Sequence, residues 1–183
     1  MHANVVDPER AYLLVVDLQE TYRDKLFEWE RTVERAVVLI RAARLLELPV
    51  LFTEQYPRGL GPTAPEVADA LADAPRFEKR TLSALGAAGL PEYLATLDRS
   101  QAIVCGIETH ACINHTVHDL LGRGVAVHLP CDALSSRRER EHSLGLAKLL
   151  RSGATGGSVE GIVLECLRSA DHPQFKSVQA LLK

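Results

Sequence analysis

Uninterrupted apolar runs alternate with helical patterns along the whole chain, and this alternation restricts the fold more than any other feature. The first run, YLLVVD at Tyr12–Asp17, carries no charge before its last position. A strand of that kind must be covered on both faces, as in a parallel sheet packed between helices. A helical pattern then spans Thr32–Leu46, with apolar residues at Val33, Val37, Ile40, Ala43 and Leu45 and a stop at Pro49. Further strands are expected at Val50–Thr53, Arg76–Lys79, Gln101–Ile107 and Val125–Leu129, with a short one at Ala154–Ser158. Helices are expected at Glu66–Leu71, Leu90–Leu97, His110–Leu121, Glu139–Leu150, Val159–Leu167 and Gln174–Leu181. The segment YPRGLGPTAP at Tyr56–Pro65 is the clearest loop, because proline and glycine crowd out regular structure. Loops of this length often serve as lids or binding loops.

The 183 residues fit one domain, taken here as 1–183, and a chain of this size buries about 70% of its unfolded surface. The formal net charge is −3, with both signs spread along the chain and no basic run. That excludes composition as an argument for nucleic acid or an anionic membrane as partner. The first ten residues, MHANVVDPER, hold three charged groups and no apolar run of signal-peptide length. No stretch approaches the roughly 20 apolar residues of a membrane span, so the expected compartment is the cytoplasm. The four cysteines, Cys105, Cys112, Cys131 and Cys166, form no CxxC pair and no zinc spacing. In a reducing compartment they are expected as free thiols.

In an open parallel sheet, ligands bind at the carboxyl ends of the strands, where strand order reverses. That rule selects Asp17 after the first strand, Glu54 and Gln55 after the second and Lys79 after the third. It also selects Gly106–Cys112 after the fourth and Asp132 after the fifth. Each position has a plain alternative: Asp17 as a turn residue, Lys79 as a surface charge. Only five of the 21 basic residues are lysine, which raises interest in a lysine at a strand end only slightly.

Cys112 is more informative. The run IVCGIETHACINHTVHDLLGRG reads as strand, tight turn and helix. Gly106 permits the bend, Thr109 is a candidate N-cap, and Cys112 falls in the first helical turn. Unpaired N–H groups there favour a thiolate, the reactive form of cysteine, and could also hold an oxyanion. The plain alternative is a buried structural thiol.

Together these residues resemble the isochorismatase-like family of cysteine hydrolases. That family carries D-x-Q after the first strand, a lysine after the third, and G-x-x-T-x-x-C-V after the fourth. The matches here are Asp17-Leu18-Gln19, Lys79-Arg80-Thr81 and GIETHACI at Gly106–Ile113, in the same order over nearly the whole chain. The resemblance implies an α/β fold, a Rossmann-like three-layer sandwich with a six-stranded parallel sheet and helices on both faces. It implies Asp17, Lys79 and Cys112 as catalytic residues. It further implies a cis peptide at Ile107-Glu108 that would aim the Glu108 and Cys112 amides at one oxyanion. Gln19, Glu54, Gln55, Tyr56 and Thr109 are the substrate-binding candidates.

The nicotinamidase branch binds a metal through histidines after the second strand, whereas FTEQYPRGLGP here has none, so no metal and no other cofactor is expected. His115 and His118 lie three apart on one helix and lack a carboxylate partner; they read as helix-surface residues. GATGGS at Gly153–Ser158 lacks a Walker-type lysine and reads as a turn into a strand. The loop TEQYPRGLGPT resembles the branch of small isochorismatase-domain proteins. Isochorismate cleavage does not require a cysteine nucleophile, so retention of Cys112 favours acyl chemistry. The expected function is hydrolysis of a small amide, related C–N or ester substrate through a thioester. A redox-responsive thiol protein and a non-catalytic binding or scaffold protein remain the alternatives. A homo-oligomer is expected, because the helix Val159–Leu167 is apolar on most of its circumference.

Overall fold

The computed structural model describes residue 2 and residues 4–183. Strand β1 (Ala11–Val16) is buried at all six positions, as its unbroken apolar run requires. It pairs in parallel with β2 (Val50–Gln55) on one side and with β4 (Gln101–Ile107) on the other. β3 (Arg76–Lys79) extends the sheet beyond β2, and β5 (Ala126–Pro130) followed by β7 (Thr155–Gly157) extends it beyond β4. The order β3-β2-β1-β4-β5-β7 reverses direction between β1 and β4, so the crevice of this fold opens at the carboxyl ends of those two strands.

Alternate β1 residues feed two cores. Leu13 and Val15 face a layer that includes α1 (Trp29–Leu45), α3 (Pro65–Leu71), α7 (Val159–Leu167) and α8 (Phe175–Leu181). Tyr12, Leu14 and Val16 face a layer of α4 (Leu90–Leu97), α5 (Asn114–Gly122) and α6 (Glu139–Arg151). These are the three layers of the expected fold.

The sheet departs from the six strands expected by one short addition, β6 (Leu134–Ser135), which pairs with Gly106 and Ile107 of β4. Beyond Ile103↔His128, β5 leaves β4 for a 3-10 turn at Cys131–Ala133, and the chain rejoins at Gly106↔Leu134. A two-residue strand after a detour has no periodicity to reveal it. β2 runs two residues further than its apolar run, so Glu54 and Gln55 lie in the strand rather than after it. The Tyr56–Pro65 loop contains one helical turn, α2 (Pro57–Leu60), and Thr63 bridges back to Gln19. α7 buries Val159, Ile162, Val163, Cys166 and Leu167 within this chain and leaves Leu164 exposed. Most of its apolar circumference is therefore covered within this chain, with Leu164 the exception.

The segment after β4 is a π-helical turn, Thr109–Ile113, leading into α5. Both the Ala111 and the Ile113 N–H groups donate to the Glu108 carbonyl, at 2.9 and 3.2 Å, and the second of these is the wide π-type bond. The Thr109 hydroxyl does not cap this turn, in contrast to the sequence expectation. It donates instead to the Ser135 carbonyl at 3.0 Å and lies 2.9 Å from His142 Nδ1. Because its only proton goes to Ser135, His142 must donate to it from Nδ1. α6 packs directly on the same turn: a Cβ on Gly145 would stand 2.9 Å from the His110 backbone.

Candidate active site

Asp17 follows β1 with a left-handed backbone (φ 54°), a conformation that aspartate tolerates better than most residues. That turn directs its carboxylate back over the strand ends. Thr53 of β2 donates its hydroxyl to Asp17 Oδ1 at 2.7 Å. Lys79, at the end of the edge strand β3, places Nζ 2.6 Å from Asp17 Oδ2 and 3.3 Å from Cys112 Sγ. Apart from this ion pair, Oδ2 has no hydrogen-bond partner among the described residues. All three residues are buried: Asp17 is 2%, Lys79 3% and Cys112 9% exposed. The sheet thus joins side chains that stand 62 and 33 residues apart in sequence order, at 17, 79 and 112.

Burial works against the thiolate that a helix start suggested. Burial pushes Cys112 up to about 12, the Asp17 carboxylate adds to the rise, and Lys79 offsets only part of it. Desolvation of the anion is the largest of these effects. The thiolate absorbance that Cys112 contributes, read as wild type minus Cys112→Ser, is expected to stay flat between about pH 7 and 9 and to rise only near 12. A plateau already present at neutral pH would show a preformed thiolate.

The Ile107-Glu108 peptide is cis, as the resemblance implied. The Glu108 carboxylate accepts from the Arg137 main-chain N–H at 2.8 Å and from its Nε at 3.0 Å, which ties the nucleophile turn to the segment before α6. Tyr22 went unnoticed in the sequence. It lies on a 3-10 turn, Glu20–Tyr22, and its phenol is raised by burial first and then by the negative charges of Glu108 and Asp17. Its signal was an aromatic residue five positions beyond Asp17, which is weak without the fold.

Of the substrate-binding candidates, most are already engaged. Gln19 is fully buried and bonds to both the N–H and the carbonyl of Gln55 and to the Gly61 carbonyl. Glu54 accepts from the Thr63 N–H and hydroxyl, both at 2.7 Å, and from Arg76 at 3.1 Å. Gln55 accepts from Lys79 and donates to the Arg80 carbonyl. Thr109 is fully buried. Tyr56 alone remains well exposed, stacked beneath the Arg80 guanidinium at 4.4 Å. It helps line a cleft of about 410 Å³ on the β3 side of Lys79, while a second hollow of about 230 Å³, lined by His110, Arg137, Arg138 and Glu141, lies beside the nucleophile turn.

At the end of β2, where the nicotinamidase branch places histidines, this chain has Thr53, Glu54 and Gln55, with Glu54 committed as above. Among the described residues no three or more His, Cys, Asp or Glu side chains converge as a metal site. His118 bonds to the Asn114 carbonyl and lies near the Ser152 hydroxyl. Activity is expected to survive exhaustive chelation; loss on chelator treatment that zinc or manganese restores would contradict this. Among the described residues no helix is long and apolar enough to cross a membrane.

A three-layer parallel α/β sheet with an acid, an amine and a thiol joined at its reversal point defines a hydrolase-type fold of the isochorismatase class. The chain belongs to the isochorismatase family, whose Isochorismatase domain matches residues 11–160. It is 39% identical over 181 residues to isochorismatase domain-containing protein 2B of Mus musculus, covering 96% of this chain and 82% of that protein. Among solved structures it resembles the MAR1 ribonuclease of Caenorhabditis elegans, with a TM-score of 0.91 and 35% identity over 97% of this chain and 92% of that one. It shares the fold of the YcaC gene product of Escherichia coli, described as an octameric hydrolase of unknown specificity, with a TM-score of 0.85 and 20% identity over 96% and 95% of the two chains.

Proposed function

We propose that this chain is a cysteine-dependent hydrolase of small amides or related C–N and ester substrates, working through a thioester on Cys112. The observation that carries this reading is the buried contact of one ammonium with both a carboxylate and a thiol, Lys79 with Asp17 at 2.6 Å and with Cys112 at 3.3 Å. Cys112 Sγ attacks the substrate carbonyl carbon as its proton passes to Asp17 Oδ2. A neutral thiol beside a base suits this concerted transfer, since no free thiolate has to be kept in a dry site. The carbonyl oxygen becomes an oxyanion held by the Glu108 and Cys112 amides. The C–N bond then breaks, and Asp17 returns the proton to the leaving nitrogen. Water adds to the thioester carbonyl while Asp17 accepts its proton. Collapse expels the Cys112 sulfur, which regains a proton from Asp17, and the acid leaves. Lys79 balances the buried carboxylate throughout.

The name of the nematode relative raises RNA cleavage as a second reading. The near-closed thiol and the absence of any basic run in the sequence favour a small acyl substrate instead. Intact-mass spectrometry after exposure to small amides, ureides and activated esters tests both. An acyl adduct on Cys112 is expected, lost in Cys112→Ser. No adduct from any of them, with RNA cut equally by wild type and Cys112→Ser, would sink the thioester reading in favour of the second. Peroxide-sensitive modification of Cys112 without turnover would mark it as a redox thiol.

A homo-oligomer belongs to the same proposal. The exposed Leu82, Leu144, Leu150 and Leu164 offer apolar surface for it, and the E. coli relative is octameric. Analytical ultracentrifugation is expected to show at least a dimer; a monomer at every concentration would reject it.

A further inference from the structure

We propose that Gln55 is the positioning residue for Lys79, and that Gln19 acts through Gln55 rather than on substrate. The inference rests on the reading of Lys79 as part of the reacting unit. A lysine ammonium is a point charge on a flexible stem, so nothing in its own chemistry fixes its direction. Here it is surrounded by acceptors: Gln55 Oε1 at 2.6 Å, the Thr81 and Leu82 carbonyls at 3.2 and 3.3 Å, the Cys112 sulfur and the Asp17 carboxylate. Gln55 makes the shortest of the neutral contacts. Its orientation is determined, because Lys79 can only donate and the Arg80 carbonyl, 3.1 Å from Nε2, can only accept.

Gln55 is itself held by its backbone. Gln19 Oε1 accepts from the Gln55 N–H at 2.8 Å, and Gln19 Nε2 donates to the Gln55 carbonyl at 3.0 Å and to the Gly61 carbonyl at 2.7 Å. Both amide protons of Gln19 are spent this way and the side chain is fully buried, so it has no donor to offer a ligand. The second residue of the D-x-Q pair therefore locks the end of β2, and the end of β2 locks the ammonium. Gln55 pulls Nζ away from a pure ion pair with Asp17 and keeps it in reach of both the carboxylate and the thiol. Without that pull, Lys79 settles on Asp17 and the thiol loses its cation.

The test is single-turnover acylation of the full chain by p-nitrophenyl acetate, read as p-nitrophenolate release and as the acetyl adduct on Cys112. Gln55→Leu is expected to lower the saturating acylation rate about 10- to 100-fold, the scale of a misplaced reacting group. The half-saturating ester concentration should hardly move, because Gln55 touches no substrate. Gln55→Glu keeps an acceptor on Lys79 and should lose less. In a Lys79→Met background, Gln55→Leu should cost nothing further, a coupling that a merely structural residue would not show. Should Gln55→Leu fail to fold, Gln55→Ala, which also lacks the acceptor, carries the same comparison in both backgrounds. A normal rate in Gln55→Leu or Gln55→Ala while Lys79→Met is slow would overturn this proposal alone. So would a loss confined to half-saturation, or one that persists in Lys79→Met. A normal rate in Lys79→Met itself would remove the reading of Lys79 and this proposal with it.

Discussion

Replacing Asp17 by asparagine is expected to slow acylation of Cys112 at neutral pH by about 10²–10⁴-fold, the range typical of a general acid–base group. The substitution preserves size and the acceptor for the Thr53 hydroxyl, which lies 2.7 Å from Oδ1. It removes the carboxylate charge beside a thiol that burial raises. Lys79→Met should also slow the step, because it strips the cation from a carboxylate that is only 2% exposed and leaves a buried charge without compensation. The two changes disable one unit, so the double variant should lose far less than the product of the single losses. Single-turnover acylation and melting temperature of all three variants separate catalysis from folding. Near-normal acylation in Asp17→Asn would end the triad reading, however reactive Cys112 proved to be.

Gly106→Ala is expected to be the most destabilising of the single substitutions considered. Gly106 adopts φ 114°, a region that L side chains rarely enter. A Cβ there would stand 2.1 Å from the Val16 carbonyl oxygen and 2.9 Å from its nitrogen. Both obstacles are backbone of β1, in the central pair of the sheet, so no flexible side chain can give way. Relief requires β1 and β4 to part at the point where one presents Asp17 and the other leads into the Cys112 turn. A loss of roughly 4 kcal/mol or more is expected, since alanine meets both backbone strain and a clash. For a chain of this length that lowers the melting temperature by roughly 10 °C. Gly122→Ala is the control: it ends α5, and a Cβ there meets nothing within 4 Å. It should be neutral or slightly stabilising. A melting temperature for Gly106→Ala within a degree or two of that control would contradict the packing described here.

By itself the sequence determined the layers and the place of the site. The run Gln101–Ile107 has the same bounds as β4, and Val159–Leu167 the same bounds as α7, because buried elements announce themselves through continuous or periodic apolar residues. Asp17, Lys79 and Cys112 were picked out as strand-end candidates, but only the resemblance of their three motifs, in order, to one family set them apart from a turn residue, a surface charge and a buried thiol. What only the tertiary structure decided depends on partners distant in sequence. Gln19 could not be seen to clamp Gln55, nor Thr109 to face His142 rather than cap a helix, since their hydrogen bonds span 36 and 33 residues. Tyr22 comes under the influence of Glu108 and Asp17 only through the fold. The state of the thiol followed the same rule. A helix start favours the thiolate through local dipoles that a sequence can suggest, but the cost of drying the sulfur and the opposing charge of Asp17 exist only after packing, and both raise the thiol.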